Sequence, residues 1–321
     1  MTSKDKYHQL CSYEPTIPIF SRDWWLDIVC GKENWDVLSV EEKGRILATM
    51  PFYTPKHDII LMPFFTQTMG PWFAPEASDI KYTTTLGRRQ EFCKQFIEQL
   101  HSYSFFLQNF HYSITDWLPF YWEGYKQTTR YTYLLKEIKN RDIIWANMSA
   151  NIRRNIIKAQ EKYHITVKKG IAVEEFLQIQ AQTFERQQIR MKEDSETLRK
   201  LIDACRKRNQ GDLWGGYDEK GQLHAAVFIV WQDNSAWYLA GGGNPELRKS
   251  GAHSLVLWEC IHYVSQFTDI FDFEGSMIPG VERFFREFSA IQTPFFTITK
   301  GKLSLLDRAR IKWGKIINKG R

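Results

Sequence analysis

The sequence predicts an α/β protein with α+β mixed sheets, built as two successive domains. Three observations carry this. Segments with a helical spacing of apolar residues alternate with short strand-like runs along the whole chain. The order helix, strands, helix, strand, strand is read in each half; the halves share no convincing identity, so the repetition rests on pattern alone. A length of 321 residues, 43% hydrophobic and 15% aromatic, exceeds an ordinary single domain and suffices for sizeable cores. There is no low-complexity linker. The charged stretch Lys136–Asp142 is the expected boundary, giving domains over 1–140 and 141–300 and a C-terminal helix over 301–321.

In the first half, Ser21–Val29 reads as a helix with Ser21 as N-cap. Trp35–Val40 and Arg45–Tyr53 read as strands joined by a Glu-Glu-Lys-Gly turn, and Ile59–Pro63 is a short apolar run. The Gly70-Pro71 pair places Thr68–Phe73 in a loop. Arg88–Ser102 is an amphipathic helix, and the strands Phe105–Gln108 and Thr128–Leu135 flank an aromatic loop, Trp117–Trp122. In the second half, Ser149 caps a helix running to Tyr163, Ile165–Lys168 is a strand, and Val173–Gln188 and Ser195–Arg208 are helices. Strands follow over Leu213–Tyr217, His224–Trp231 and Ala236–Ala240. Glu246–Gln266 is largely helical, with Asn244 and Pro245 as its expected cap and first residue. Asp269–Glu274 is a strand, Pro279–Phe288 a helix and Thr293–Thr299 the last strand.

Composition excludes several classes. The five cysteines, at 11, 30, 93, 205 and 260, are odd in number and widely spaced, which argues for reduced thiols and against a disulfide framework or zinc site. Met1–Lys6 leads into no apolar segment of a signal peptide, and no run approaches a membrane span, so the expected location is cytoplasmic. No P-loop, His-Glu-x-x-His or Ser-His-Asp order is present, disfavouring NTPase, zinc protease and hydrolase readings. The net charge of +6 is a property of the tail: Lys300–Arg321 holds eight basic residues against the single acid Asp307. Helical spacing there puts Leu303, Leu306, Trp313 and Ile317 on one face and Arg308, Lys312, Lys315 and Lys319 in a stripe on the other. Such a stripe is either a solvated face or a contact for anionic membrane, tRNA or a phosphorylated precursor.

The run Phe271-Asp-Phe-Glu-Gly-Ser-Met277, followed by Pro279-Gly-Val-Glu-Arg-Phe-Phe-Arg286, reads as a strand that stops at a glycine and turns into a helix. Alternation gives that strand an apolar face, Phe271 and Phe273, and a carboxylate face, Asp272 and Glu274. The carboxylates are either solvated or placed for chemistry. A second turn, Gly241-Gly-Gly243 with Asn244-Pro245, precedes a helical stretch whose N-terminus suits anions.

Phe271–Met277 with Gly280-Val and Phe284-Phe285 resembles the C-terminal signature of the FemAB-like and BioF2-like branch of the GNAT acyltransferase superfamily. Ile144–Ser149, Asn151–Arg154 and Ile157–Ala159 are similar to the opening of that family's second domain, Thr183–Gln188 to its aromatic-Arg-Gln element, and Ser250–Trp258 to its acyl-donor helix. The likeness is strongest over 141–300, and the order of the motifs weighs more than any one of them. It implies tandem GNAT-like domains with an interdomain cleft and a C-terminal helix packing back on the first. It implies acyl or aminoacyl transfer onto an amine, as in peptidoglycan or cell-envelope precursors. The alternatives are acyl-CoA-dependent N-acetyltransfer and a degenerate fold that binds an anionic partner without turnover. Acyl-CoA and aminoacyl-tRNA are the alternative donors, with no other cofactor and no metal implied. The partners are an amine acceptor, a phosphate-bearing cell-wall precursor and, peripherally, anionic membrane.

An amine must lose a proton and the tetrahedral oxyanion must be stabilised. Asp272 and Glu274 are the catalytic candidates, with His253 a third candidate for proton acceptor; Arg153, Arg154, Arg186, Gln187 and Lys300 are candidates for holding substrate. GNAT enzymes hold the acyl-CoA pyrophosphate on an Arg/Gln-x-x-Gly-x-Gly/Ala loop. Here Arg248-Lys-Ser-Gly251-Ala252-His253 supplies the Arg and first Gly but replaces the last small residue by His253, so acetyl-CoA is expected to bind weakly. Arg248, Gly251, Ala252 and His253 remain the donor or anion candidates.

Overall fold

A computed structural model of the chain describes residues 2–186, 194–304 and 307. These fall into two compact units, one holding the residues up to Arg130 together with those from Pro294, the other Tyr131–Thr293. The division lies inside a strand at 130/131, ahead of the charged stretch 136–142.

The first unit begins with helices α1 (Ser3–Tyr13) and α2 (Asp23–Val29), then strands β1 (Trp35–Glu42), β2 (Arg45–Lys56), β3 (Ile59–Leu61) and β4 (Trp72–Phe73). Helix α3 (Tyr82–Leu100), strand β5 (Phe105–Asn109) and the short helix α4 (Leu118–Trp122) follow. Ser21 does not cap α2; it ends a 3₁₀ turn, Ile19–Ser21, and its carbonyl accepts from the Tyr7 hydroxyl at 2.6 Å. The β1–β2 turn is two residues long, Lys43 and Gly44, both with positive φ (50° and 79°), the geometry that matches the twist of paired strands. The aromatic segment 117–122, expected as a loop, winds into α4 because Pro119 suits a first helical turn and Phe120 is fully buried.

Strand β6 (Lys126–Lys136) leads into the second unit. There α5 (Arg141–Asn147), α6 (Ala150–Glu161), β7 (Thr166–Lys169), α7 (Val173–Arg186) and α8 (Asp194–Lys207) precede β8 (Gly211–Tyr217), β9 (Leu223–Gln232) and β10 (Ser235–Gly243). Then come α9 (Ala252–Val264), β11 (Ile270–Asp272) and α10 (Pro279–Arg286), and β12 (Ile291–Gly301) returns the chain to the first unit from Pro294. Ser149 caps α6 as expected, its hydroxyl accepting from the Ile152 amide at 3.2 Å.

The strands of the two units follow one plan. In the first unit the order is β1-β2-β3-β5-β12, with β4 on β2; in the second it is β6-β11-β10-β9-β8-β7. Each contains a single parallel pair among the described registers, β3 with β5 and β10 with β11, and each pair is joined by one crossover helix, α3 or α9. The strand beside that pair comes from the other half of the chain: β12 on β5 through Thr297–Gly301, β6 on β11 through Leu134–Lys136. The repetition read as pattern is thus a repeated topology.

The core of the second unit sets α9 and α6 against the sheet. Ile152, Ile156 and Ala159 of α6 meet Leu255, Val256 and Trp258 of α9 and Ala225, Val227 and Ile229 of β9, all buried. Burying each large apolar side chain is worth about 1.5–3 kcal/mol, enough to fix these elements as a rigid support.

Candidate functional site

β11 is only three residues long, Ile270–Asp272, and pairs with Ser235–Trp237 of β10. Beyond Trp237, β10 runs six more residues to Gly243, held on its far side by β9 through Gly243 opposite Ala225. The register of β10 slips between Tyr238 and Ala240, a bulge that re-aims the side chains of its second half. The parallel strands therefore part company at Trp237 and Asp272, and each then enters a turn leading to a helix.

The turn after β11 is built around a carboxylate. Asp272 is fully buried; its Oδ1 accepts from the Thr132 hydroxyl of β6 and, at 2.7 Å, from the Glu274 amide. Glu274 and Gly275 both lie in the left-handed region, with φ of 58° and 62°. A Cβ on Gly275 would stand 2.0 Å from the Tyr131 carbonyl oxygen, so only glycine fits. Buried Ser276 accepts from the Ile278 amide at 3.1 Å, and Pro279 starts α10. This corrects one expectation: the strand stops at Asp272, and the left-handed backbone takes Glu274 off its face, so the two carboxylates do not share a strand face. Asp272 is the buried anchor of the turn, and Glu274 stands half-buried at its bend.

The turn after β10 does not begin a helix at Asn244. Asn244 Oδ1 accepts from the Glu246 amide at 2.9 Å, making a side-chain-closed turn, and a 3₁₀ turn, Arg248–Ser250, intervenes before α9. Gly251 has φ of 81°, and a Cβ there would stand 2.5 Å from the Asn155 carbonyl oxygen of α6. Its smallness serves the packing of α9 on α6. Ser250, buried, already accepts from the Ala252 amide at 3.2 Å.

His253, on the first turn of α9, is drawn into an aromatic cluster. Its Nε2 lies 3.1 Å from the Tyr238 hydroxyl, and its ring meets Phe284 edge-on at 5.6 Å. Tyr238 in turn meets Phe285 at 6.0 Å, and Phe285 stacks on Phe273 at 5.1 Å. Burial, then the positive charge of Arg248, pushes the imidazole down to about 4 against the pull of the Gly242 carbonyl. The ring is neutral at neutral pH.

The remaining candidates scatter. Arg153 donates to the Trp145 and Ala146 carbonyls at 3.2 and 2.9 Å, closing the end of α5. Arg154 and Arg248 are exposed, and Ala252 is buried. Lys300 belongs to the first unit, its ammonium 4.6 Å from the centroid of the Tyr125 ring. The side chains of Thr183–Arg186, residues Gln187 and Gln188, and the tail residues Leu306, Arg308, Lys312, Trp313, Lys315, Ile317 and Lys319 lie outside the described residues. Leu303 falls in a non-helical stretch, 302–304, so no helix starts there. Among the described residues no cluster of metal-ligating side chains occurs, and no helix is long and apolar enough to cross a membrane.

Two residues escaped the sequence reading. Tyr238 sits in a run of strand residues, and only the bulge brings it beside Gly241 and His253. Thr132 lies 140 positions from the aspartate it binds. Neither has a local signal.

A sheet whose central parallel strands separate, with a crossover helix between them and a strand-end carboxylate, defines the class as an acyltransferase fold of the GNAT type. The comparisons agree. Residues 146–286 match the family described as acetyltransferase (GNAT) domain. No curated protein matches the sequence. Among solved structures, FemX aligns over 92% of this chain and 96% of its own, at 12% identity and a TM-score of 0.66. The C-terminal domain of a putative lysylphosphatidylglycerol synthetase from Agrobacterium fabrum aligns over 99% of both chains, at 10% identity and 0.60. A tandem GNAT protein from the clavulanic acid biosynthesis pathway aligns over 94% and 96%, at 10% identity and 0.52. Residues 146–286 thus carry a GNAT acetyltransferase domain, and the chain as a whole shares its fold with FemX and with the tandem GNAT protein.

Proposed function

We propose that the protein transfers an acyl or aminoacyl group from an ester donor, such as aminoacyl-tRNA, onto the amine of a cell-envelope precursor. The observation that carries this reading is the separation of β10 from β11 beside a turn bearing Glu274. In it, the donor's acyl end enters where the strands part. Glu274 takes the proton that the amine loses on attack and returns it to the ester oxygen as the acyl C–O bond breaks, so the donor leaves as an alcohol; Asp272, through Thr132 and the Glu274 amide, is a positioning residue that holds the turn. The backbone of Ala240–Gly242 is the candidate to stabilise the oxyanion. The overall likeness to FemX supports a peptidoglycan-type acceptor, and the basic tail suits a phosphate-bearing one. An intracellular site of action belongs to the same proposal.

Acyl-CoA-dependent N-acetyltransfer is the second reading, favoured by the description of the matching family. The aromatic cluster around His253 weighs against it.

The test is a mass-spectrometric transfer assay offering acetyl-CoA or charged tRNA with UDP-linked muropeptide or free amines. Transfer from charged tRNA is expected, and Glu274→Gln is expected to lower kcat by about 10²–10⁴. Turnover with acetyl-CoA alone would move the assignment to the second reading. An unchanged kcat in Glu274→Gln would remove that residue from the chemistry.

A further inference from the structure

Glycines at the end of a strand leave room for a ligand to approach the backbone. At Gly241 that room is already taken. A Cβ placed there would stand 2.2 Å from the Tyr238 hydroxyl oxygen and 2.8–2.9 Å from two carbons of its ring. The phenol therefore lies directly over the glycine. Residues three apart in a flat strand point to opposite faces; the register slip between Tyr238 and Ala240 is what sets them on the same one.

Two elements hold the ring in place. From α9, His253 Nε2 lies 3.1 Å from the hydroxyl, and its ring meets the phenol edge-on at 5.9 Å. From α10, Phe285 packs edge-on against the phenol, and Phe284 backs the imidazole. The Gly242 carbonyl accepts from the imidazole, and Nε2 shares a hydrogen bond with the tyrosine hydroxyl. The tyrosine and histidine are thus each other's support, on the stretch of β10 that runs past the end of its pairing with β11.

We propose that Tyr238, braced by His253, is a specificity-determining residue that fills the recess beside Gly241 and shuts it to the pantetheine arm of an acyl-CoA. A thin, linear arm of that kind needs a continuous slot along the strand. An ester donor held by its bulky body from outside has only to bring its acyl end to the strand end. This rests on the ester-donor reading above and names the residues that enforce it.

Calorimetric titration with CoA tests it, using the full chain and the variants Tyr238→Phe, Tyr238→Ala and Tyr238→Ala with His253→Gly. Circular dichroism and a melting curve check that each is folded. The wild type and Tyr238→Phe, which keeps the ring, are expected to bind CoA no tighter than about 1 mM; the two opened variants should bind at least about tenfold tighter. If all four bind equally weakly while folded, Tyr238 is not the gate, and the ester-donor reading stands untouched. If the wild type binds CoA as tightly as the opened variants, the gate and the ester-donor reading both fall. Should Tyr238→Ala not fold, Tyr238→Leu, which keeps an apolar side chain but vacates the space over Gly241, takes its place with the same two outcomes.

Discussion

The turns that follow β10 and β11 are built from the same parts and used differently. Each has a buried serine that accepts from the amide two residues on, Ser250 to Ala252 and Ser276 to Ile278. Each has a left-handed glycine pressed against a backbone carbonyl of another element, Gly251 on Asn155 and Gly275 on Tyr131. The difference lies in what surrounds them. The first turn puts Arg248 and Lys249 in solvent and sends a neutral histidine inward; the second buries an aspartate and bends at a glutamate. Glycines in such turns answer first to packing, and chemistry is left to the side chains around them.

The sharpest way to break this comparison is to add one methyl group to each glycine. In Gly275→Ala the Cβ would meet the Tyr131 carbonyl oxygen at 2.0 Å in a left-handed backbone. Chemical denaturation is expected to show a loss of about 3 kcal/mol or more. Gly251→Ala has a wider gap, 2.5 Å to the Asn155 oxygen, and should lose about 2–3 kcal/mol. An anion-binding role for Gly251 predicts the opposite outcome: intact stability with lost ligand affinity. Near-wild-type stability in Gly251→Ala would therefore restore the phosphate reading of that loop.

How far the sequence speaks is visible in these same turns. It placed a strand, a glycine break and Pro279 at a helix start correctly, because each depends on neighbours within a few residues. Ser149 at its cap and the strands β8 to β10 were legible for the same reason. Alternation also put Asp272 and Glu274 on one face, and there it failed. The left-handed bend at Glu274 comes from the closeness of β6, which contributes Tyr131 and Thr132 from far along the chain. Likewise Asn244-Pro245 promised a helix that is delayed to Ala252, since Gly251 must first bring α9 onto α6. Arg153, chosen as a substrate ligand, turns back to the carbonyls of α5, a nearby demand that composition does not reveal.

Acid should separate the turns by their titrating groups. His253 is held at about 4 in the folded chain, below the usual 6.5 of a histidine. Between those values the unfolded chain binds the extra proton, so the contribution is complete above pH 6.5 and is lost as pH falls towards 4. The residue as a whole is only half-buried, so the loss is expected at about 1–2 kcal/mol rather than the full equivalent of the shift. Denaturation at pH 7 and 4.5 should show a smaller acid penalty in His253→Gln than in the wild type. Equal penalties would mean that the imidazole is charged in place, with Tyr238 accepting from it.

The smallest effects test whether the two turns act as one structure. Removing either hydroxyl, in Ser250→Ala or Ser276→Ala, leaves one amide, buried at Ala252 and half-buried at Ile278, without its side-chain acceptor and should cost about 1 kcal/mol. The double variant carries the information. If the turns are independent, the two costs add to within about 0.3–0.5 kcal/mol. The aromatic path from His253 through Tyr238 to Phe285, and from Phe285 to Phe273 beside Asp272, links them side chain to side chain. A path of packed rings that moves as a unit makes the first substitution loosen the second turn before it is touched, so the double variant would then lose less than the sum. Repeating the cycle in Tyr238→Ala, which cuts the path, should bring additivity back. A coupling that survives the cut would have to run through the backbone of β10 and β11, which pair over Ser235–Trp237.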